Sequence, residues 1–99
     1  MRISEILKSL EIPVAYGSFR EAVKPPFLVY LGAGQNAFEA DNTFYQKTNK
    51  YRIEYYFKIK DEEQEDRIES VLLSHFNNYE KSDDTYIESD AMYVIYYDV

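Results

Sequence analysis

The residues of this chain best suited to chemistry are its carboxylates, and they fall into two groups. Asp61-Glu62-Glu63-Gln64-Glu65-Asp66 places five acids in six positions, and carboxylates are the hard oxygen ligands that calcium and magnesium take. The spacing argues against a shared ion. Consecutive helical residues point about 100° apart, and the glycine-centred calcium loop pattern is missing. The run suits the first turn of a helix instead, where acids complement the positive end of the dipole; a divalent ion bridging it to a neighbouring subunit is the alternative. The second group, Glu80, Asp83, Asp84, Glu88 and Asp90, contains pairs that could exchange protons or hold magnesium. A turn at Ser82-Asp83-Asp84 explains them without chemistry.

His75 is the only histidine. A general base near neutral pH is its chemical reading, but neither a cysteine nor a nucleophile elbow accompanies it. Its place beside Leu72 and Phe76 predicts a packing residue with one hydrogen bond. Gly32-Ala33-Gly34 is no phosphate loop, since it lacks the following helix and the Walker lysine; it reads as a turn that breaks a strand. No catalytic, cofactor or metal site is therefore assigned, and the chain is read as a non-enzyme.

The elements around these residues are legible from periodicity. Tyr51, Ile53, Tyr55, Phe57 and Ile59 alternate with Arg52, Glu54, Lys58 and Lys60, predicting a strand with one apolar face. Upstream, Gln46 to Lys50 leaves neither face apolar, so the strand outruns its core and implies a projecting hairpin arm of the kind that finds another chain. Ile3, Ile6, Leu7 and Leu10 make an opening amphipathic helix stopped by Pro13. Val14 to Tyr16 is a brief strand, and Phe27 to Leu31 is apolar throughout, as in a central strand. Gln35 to Asn42 reads as a mobile loop and a short strand. Asp61 caps a second helix with Gln64 three residues on, whose stripe is Ile68, Val71, Leu72, His75 and Phe76. Asn77-Asn78 ends it, and Tyr79 to Ser89 and Met92 to Val99 form a closing hairpin. The expected fold is a single α+β domain over residues 1–99, with a mainly antiparallel sheet, two helices packed on one face and a projecting hairpin arm.

Composition narrows the function. A 45% hydrophobic and 17% aromatic content predicts a folded chain. The absence of cysteine fits a reducing cytoplasm, and neither a signal peptide nor an apolar span of roughly 18 residues is present, so no membrane is expected. A net charge of −7 disfavours wrapping on phosphates, yet suits a passage through which DNA slides, or a mimic of DNA. Eleven tyrosines exceed what one small core needs. Tyrosine offers contact area at low entropic cost, which makes Tyr45, Tyr56 and Tyr96 interaction candidates, together with Phe38 and Lys47 in the arm and Glu62, Glu63 and Glu65 in the acidic run.

The opening helix, Ile12-Pro13-Val14-Ala15-Tyr16, Lys24-Pro25-Pro26-Phe27-Leu28-Val29-Tyr30, Tyr51-Arg52-Ile53-Glu54-Tyr55-Tyr56 and Tyr86-Ile87-Glu88-Ser89 together resemble the tail terminator, or tail-to-head joining, proteins of long-tailed phages and prophages of Gram-positive bacteria. The likeness spans nearly the whole chain and transfers no functional residues. It implies an α+β subunit of a homo-oligomeric ring, a hexamer, that ends the tail tube and docks it to the head connector. DNA would pass its acidic lumen without specific binding. Assembly would occur in the host cytoplasm, with the protein ending in the virion tail. Two other classes compete: an acidic DNA mimic that inhibits a host DNA-binding protein, and a small metal-dependent enzyme using Asp83, Asp84 and Glu88.

Overall fold

The computed structural model describes residues 2–40 and 44–99, and the side chains of residues 2–34 and 49–99. Helix α1 (Ile3–Lys8) leads into strand β1 (Val14–Tyr16), the long strands β2 (Phe27–Ala40) and β3 (Phe44–Phe57), helix α2 (Glu62–Phe76), and the strands β4 (Glu80–Lys81), β5 (Thr85–Ile87) and β6 (Met92–Asp98). The sheet runs β1-β2-β3-β6-β4, with β5 also on β6. Only β1 and β2 are parallel; the other pairs are antiparallel. The fold is α+β, as expected.

Register explains the core. Leu28 faces Tyr55, Tyr55 faces Ile95, and Ile53 faces Tyr97 across adjacent strands. Alternation therefore puts all of them on one side of the sheet. Leu7 and Leu10 from α1 and Ile68 and Leu72 from α2 pack on that side in one cluster. The reverse face is not bare: Val29 and Val94 are buried there, and Phe19 of the 17–24 segment meets Phe27 edge to face at 5.3 Å. This segment supplies the cover that two helices on one side cannot.

Several expectations are corrected. Helix α1 ends at Lys8, before Pro13, because the Ser9 hydroxyl donates to the Ile6 carbonyl at 2.6 Å and competes with the ladder. Gly32-Ala33-Gly34 does not break β2. Gly32 faces Tyr51 and Gln35 faces Asn49, so three steps on β2 match two on β3, which is a bulge. Gly34 there has φ 94°, where a side chain would be strained. The strand continues through Gln35 to Ala40, in place of a loop; positions 41 and 42 lie outside the described residues. Ile59 does not join the core face, because pairing ends at Phe57 opposite Tyr93, and it is 83% exposed.

The predicted strand Tyr79 to Ser89 is divided into β4 and β5. Ser82 accepts the Tyr96 amide on its side-chain Oγ at 2.8 Å and donates its own amide to the Tyr96 carbonyl. The backbone carbonyl of Ser82 is thus displaced from the ladder, and the chain turns out at Asp83-Asp84. His75 is exposed, not packed, although its single hydrogen bond to the Val71 carbonyl is present at 3.0 Å.

Candidate functional site

The sequence-predicted interaction residues occupy three separate places. The first is the β2–β3 arm. β1 leaves the outer edge of β2 after Tyr16 and Tyr30 pair, and β6 leaves β3 where Tyr51 and Val99 exchange N–H···O bonds at 3.1 and 3.0 Å. Beyond that point only two strands continue among the described residues, from Gln35 opposite Asn49 to Ala40 opposite Phe44. At ~3.3 Å per residue this ribbon reaches about 20 Å, and the chain measures 51 Å along its longest axis against 26 and 24 Å across. A two-stranded ribbon has two outward edges of backbone N–H and C=O groups, a template for another strand. Phe38, Tyr45 and Lys47 lie on this ribbon by backbone position, and their side chains lie outside the described residues.

The second place is the sheet face opposite the helices, which holds Tyr56 and Tyr96. Tyr56 stacks on Phe27 at 4.9 Å between ring centroids and donates from its hydroxyl to Glu54 Oε1 at 2.8 Å. Burial, then the bond to Glu54, pushes its hydroxyl well above the ordinary tyrosine range. Arg52 lies over the Tyr96 ring at 5.3 Å while gripping Asp98 with Nε at 2.9 Å. Both tyrosines are half-buried by contacts within the chain.

The third place is the acidic run. Glu62 and Glu63 are exposed on the first turn of α2, whose cap is as predicted: Asp61 Oδ1 accepts the Gln64 amide at 3.2 Å. Glu65 is different. It is 3% exposed, and the solvated reading of the run fails for it. Positions 65, 68, 69 and 72 share one helical face, so Glu65 and Glu69 flank the buried Ile68 and Leu72. Lys60 Nζ lies 2.8 Å from Glu65 Oε2. Lys81 Nζ lies 3.0 Å from Glu65 Oε1 and 2.9 Å from Glu69 Oε2. Tyr79 and Tyr97 donate to the two oxygens of Glu69 at 3.0 and 2.7 Å.

This cluster joins α2 to β4, β6 and the segment after β3, and it went unread in the sequence. Its signal was available: two acids at i and i+4 inside an apolar stripe call for cations from elsewhere. The cluster also takes in Asp84, which meets Lys60 at 3.0 Å. Among the described residues no three carboxylate or imidazole groups converge as a metal requires. No described helix is long and apolar enough to cross a membrane.

The carboxylates of the clamp are paired with cations of the same chain, whereas the arm continues, among the described residues, with no third strand beside it. Comparison with protein-family models, curated proteins and solved structures finds no match to this chain.

Proposed function

We propose that this protein is a structural subunit of the head–tail junction of a long-tailed phage or prophage, which joins copies of itself into a ring that completes the tail tube and docks it to the head connector. The observation that supports this reading is the arm, a ribbon six rungs long that leaves the core and to which, among the described residues, no third strand is paired. A monomer gains nothing from such an element, because a bare two-stranded hairpin is at best marginally stable in water. A neighbouring subunit that adds strands or packs against it satisfies both edges. The net charge of −7 fits a lumen along which DNA moves without sticking. Glu65, being buried and paired, has no part in such a lumen.

The test is absolute mass by light scattering across a concentration series, with negative-stain imaging at the top of the range. Rings of about six subunits are the expected particles. A monomer at every concentration up to the millimolar range overturns the reading.

A further inference from the structure

We infer that residues 18–26 form a strap that lifts off the reverse face of the sheet as a unit while the rest of the fold stays in place, with Phe19 as its latch; this does not depend on the ring reading above. Two backbone bonds fix its ends. The Gly17 amide donates to the Tyr30 carbonyl at 2.9 Å, and the Leu28 amide donates to the Pro13 carbonyl at 2.8 Å. From Phe19 to Pro26, among the described residues, no backbone group bonds to another part of the chain and no side chain makes a hydrogen bond or ion pair. Parallel strands such as β1 and β2 are usually joined by a helix; here the crossover between them has no regular structure.

What holds the strap down is apolar contact. Phe19 meets Phe27 edge to face at 5.3 Å between ring centroids. Phe19 and Val23 are half-buried, whereas Arg20, Glu21, Ala22 and Lys24 are exposed. The fit is loose: a cavity of about 410 Å³ is lined by Phe19 and Val23 from the strap and by Phe27, Val29, Tyr56 and Met92 from the sheet. Such a gap forfeits dispersion contacts that a close-packed interior makes. Few buried apolar contacts and no backbone bonds mark a segment that opens far more readily than the domain as a whole.

The sheet beneath keeps its own order without the strap. The core cluster and the residues packed against it include none of residues 17–27, and Tyr56 is held by its stack on Phe27 and its bond to Glu54. Gly17, at φ 76°, takes a turn that a side chain would strain, and the rings of Pro25 and Pro26 fix φ at the far end. Movement is thereby confined to the residues between them. Opening bares Val29, which is 5% exposed when the strap is closed, and the covered sides of Phe27 and Tyr56. The strap is a cover that withholds an apolar, aromatic face until it lifts.

The experiment is limited trypsin digestion of the full chain, with cleavage sites resolved by mass spectrometry. Arg20 carries the strap's one tryptic bond, because Lys24 is followed by proline. Rates are read in rising urea below the unfolding midpoint and normalised to an unstructured peptide bearing the same bond. Local opening exposes little surface and so responds weakly to urea, whereas global unfolding responds steeply. Cleavage after Arg20 is expected to precede cleavage after Arg67 in α2 and to stay flat in urea. Phe19→Ala is expected to raise the Arg20 rate by about tenfold and leave the Arg67 rate unchanged, which also shows that the variant is folded. In the same variant a soluble paramagnetic probe should broaden the Val29 methyl signals more than in the parent, and those of Leu72 equally in both. Arg20 cleaved only in step with Arg67 and rising steeply with urea overturns the strap as an independent unit. An unchanged Arg20 rate in Phe19→Ala overturns the latch, and unchanged Val29 broadening overturns the uncovering of the face.

Discussion

The Lys81 ammonium lies 2.9 Å from Glu69 Oε2, which ties a two-residue edge strand to the inner face of a fifteen-residue helix. Tyr97 reaches the same oxygen at 2.7 Å from within the core. Lys81 thus neutralises two acids that α2 carries inward, and β4 is held by side chains as much as by its two rungs.

Replacing Lys81 with methionine keeps its stem but strands Glu69 without a cation and leaves Glu65 with Lys60 alone. Removing one partner of a buried pair typically costs 3–5 kcal/mol; Lys81 is 34% exposed, so we expect about 2–3 kcal/mol, read as a lower urea midpoint. Combining Lys81→Met with Glu69→Gln is expected to cost less than the sum of the two single changes. Full additivity would show that the pair contributes nothing.

Stability is expected to fall at both pH extremes. Burial alone would raise the Glu69 carboxyl, but hydrogen bonds from Lys81, Tyr97 and Tyr79, with the Lys81 charge, outweigh it and hold the group below its ordinary 4.5. A depressed carboxyl stabilises the fold above its unfolded value, and that contribution is lost as pH drops below about 4.5. Burial raises the Tyr55 hydroxyl from 10.0 to about 12, with Asp61 and Glu65 adding to it. A raised group stabilises fully below its unfolded value, so its share is lost between pH 10 and about 12. Thermal melts across pH should show Glu69→Gln flattening the acid limb and Tyr55→Phe flattening the alkaline one.

Joining Gly32 to Tyr51, which face each other across the ladder, through an Asn-Gly turn removes the arm with a hairpin connection that favours two-residue loops. No core residue is lost, since the buried cluster comes from outside residues 33–50. The melting temperature is expected to stay within about 5 °C of the parent, while light scattering reports a monomer. Retained oligomers would remove the arm from assembly.

Asp61→Ala deletes the acceptor of the Gln64 amide and is expected to lower stability by about 1 kcal/mol in urea unfolding. Asp61→Asn keeps an acceptor there and should cost a few tenths at most. Equal losses in the two variants would assign the effect to charge and not to the cap.

Local rules made part of this protein legible without coordinates. The cap at Asp61, the stop at Asn77 with its φ of 69°, and the stripe through Ile68 and Leu72 all depend on neighbours within one or two turns, which the sequence displays directly. The two faces of Tyr51 to Phe57 and the unmatched stretch before them were equally readable, because a strand's alternation is intrinsic.

What only tertiary structure decided lies wherever one segment depends on a distant one. The bulge at Gly32–Gly34 exists because β3 continues opposite it, so a run that reads as a break becomes a crossing point. The Ser82 hydroxyl divides a strand only because Tyr96 presents an amide there. Ile59 fits the core pattern but is left outside because β3 ends at Phe57, its last rung to β6 being the one opposite Tyr93. Glu65 belongs by sequence to a solvated acidic run and by structure to a buried cluster, since two cations make its burial tolerable, Lys60 from just before the helix and Lys81 from β4, sixteen residues away. Periodicity reports which face a side chain takes; what stands opposite that face is set by pairing, and no local pattern encodes it.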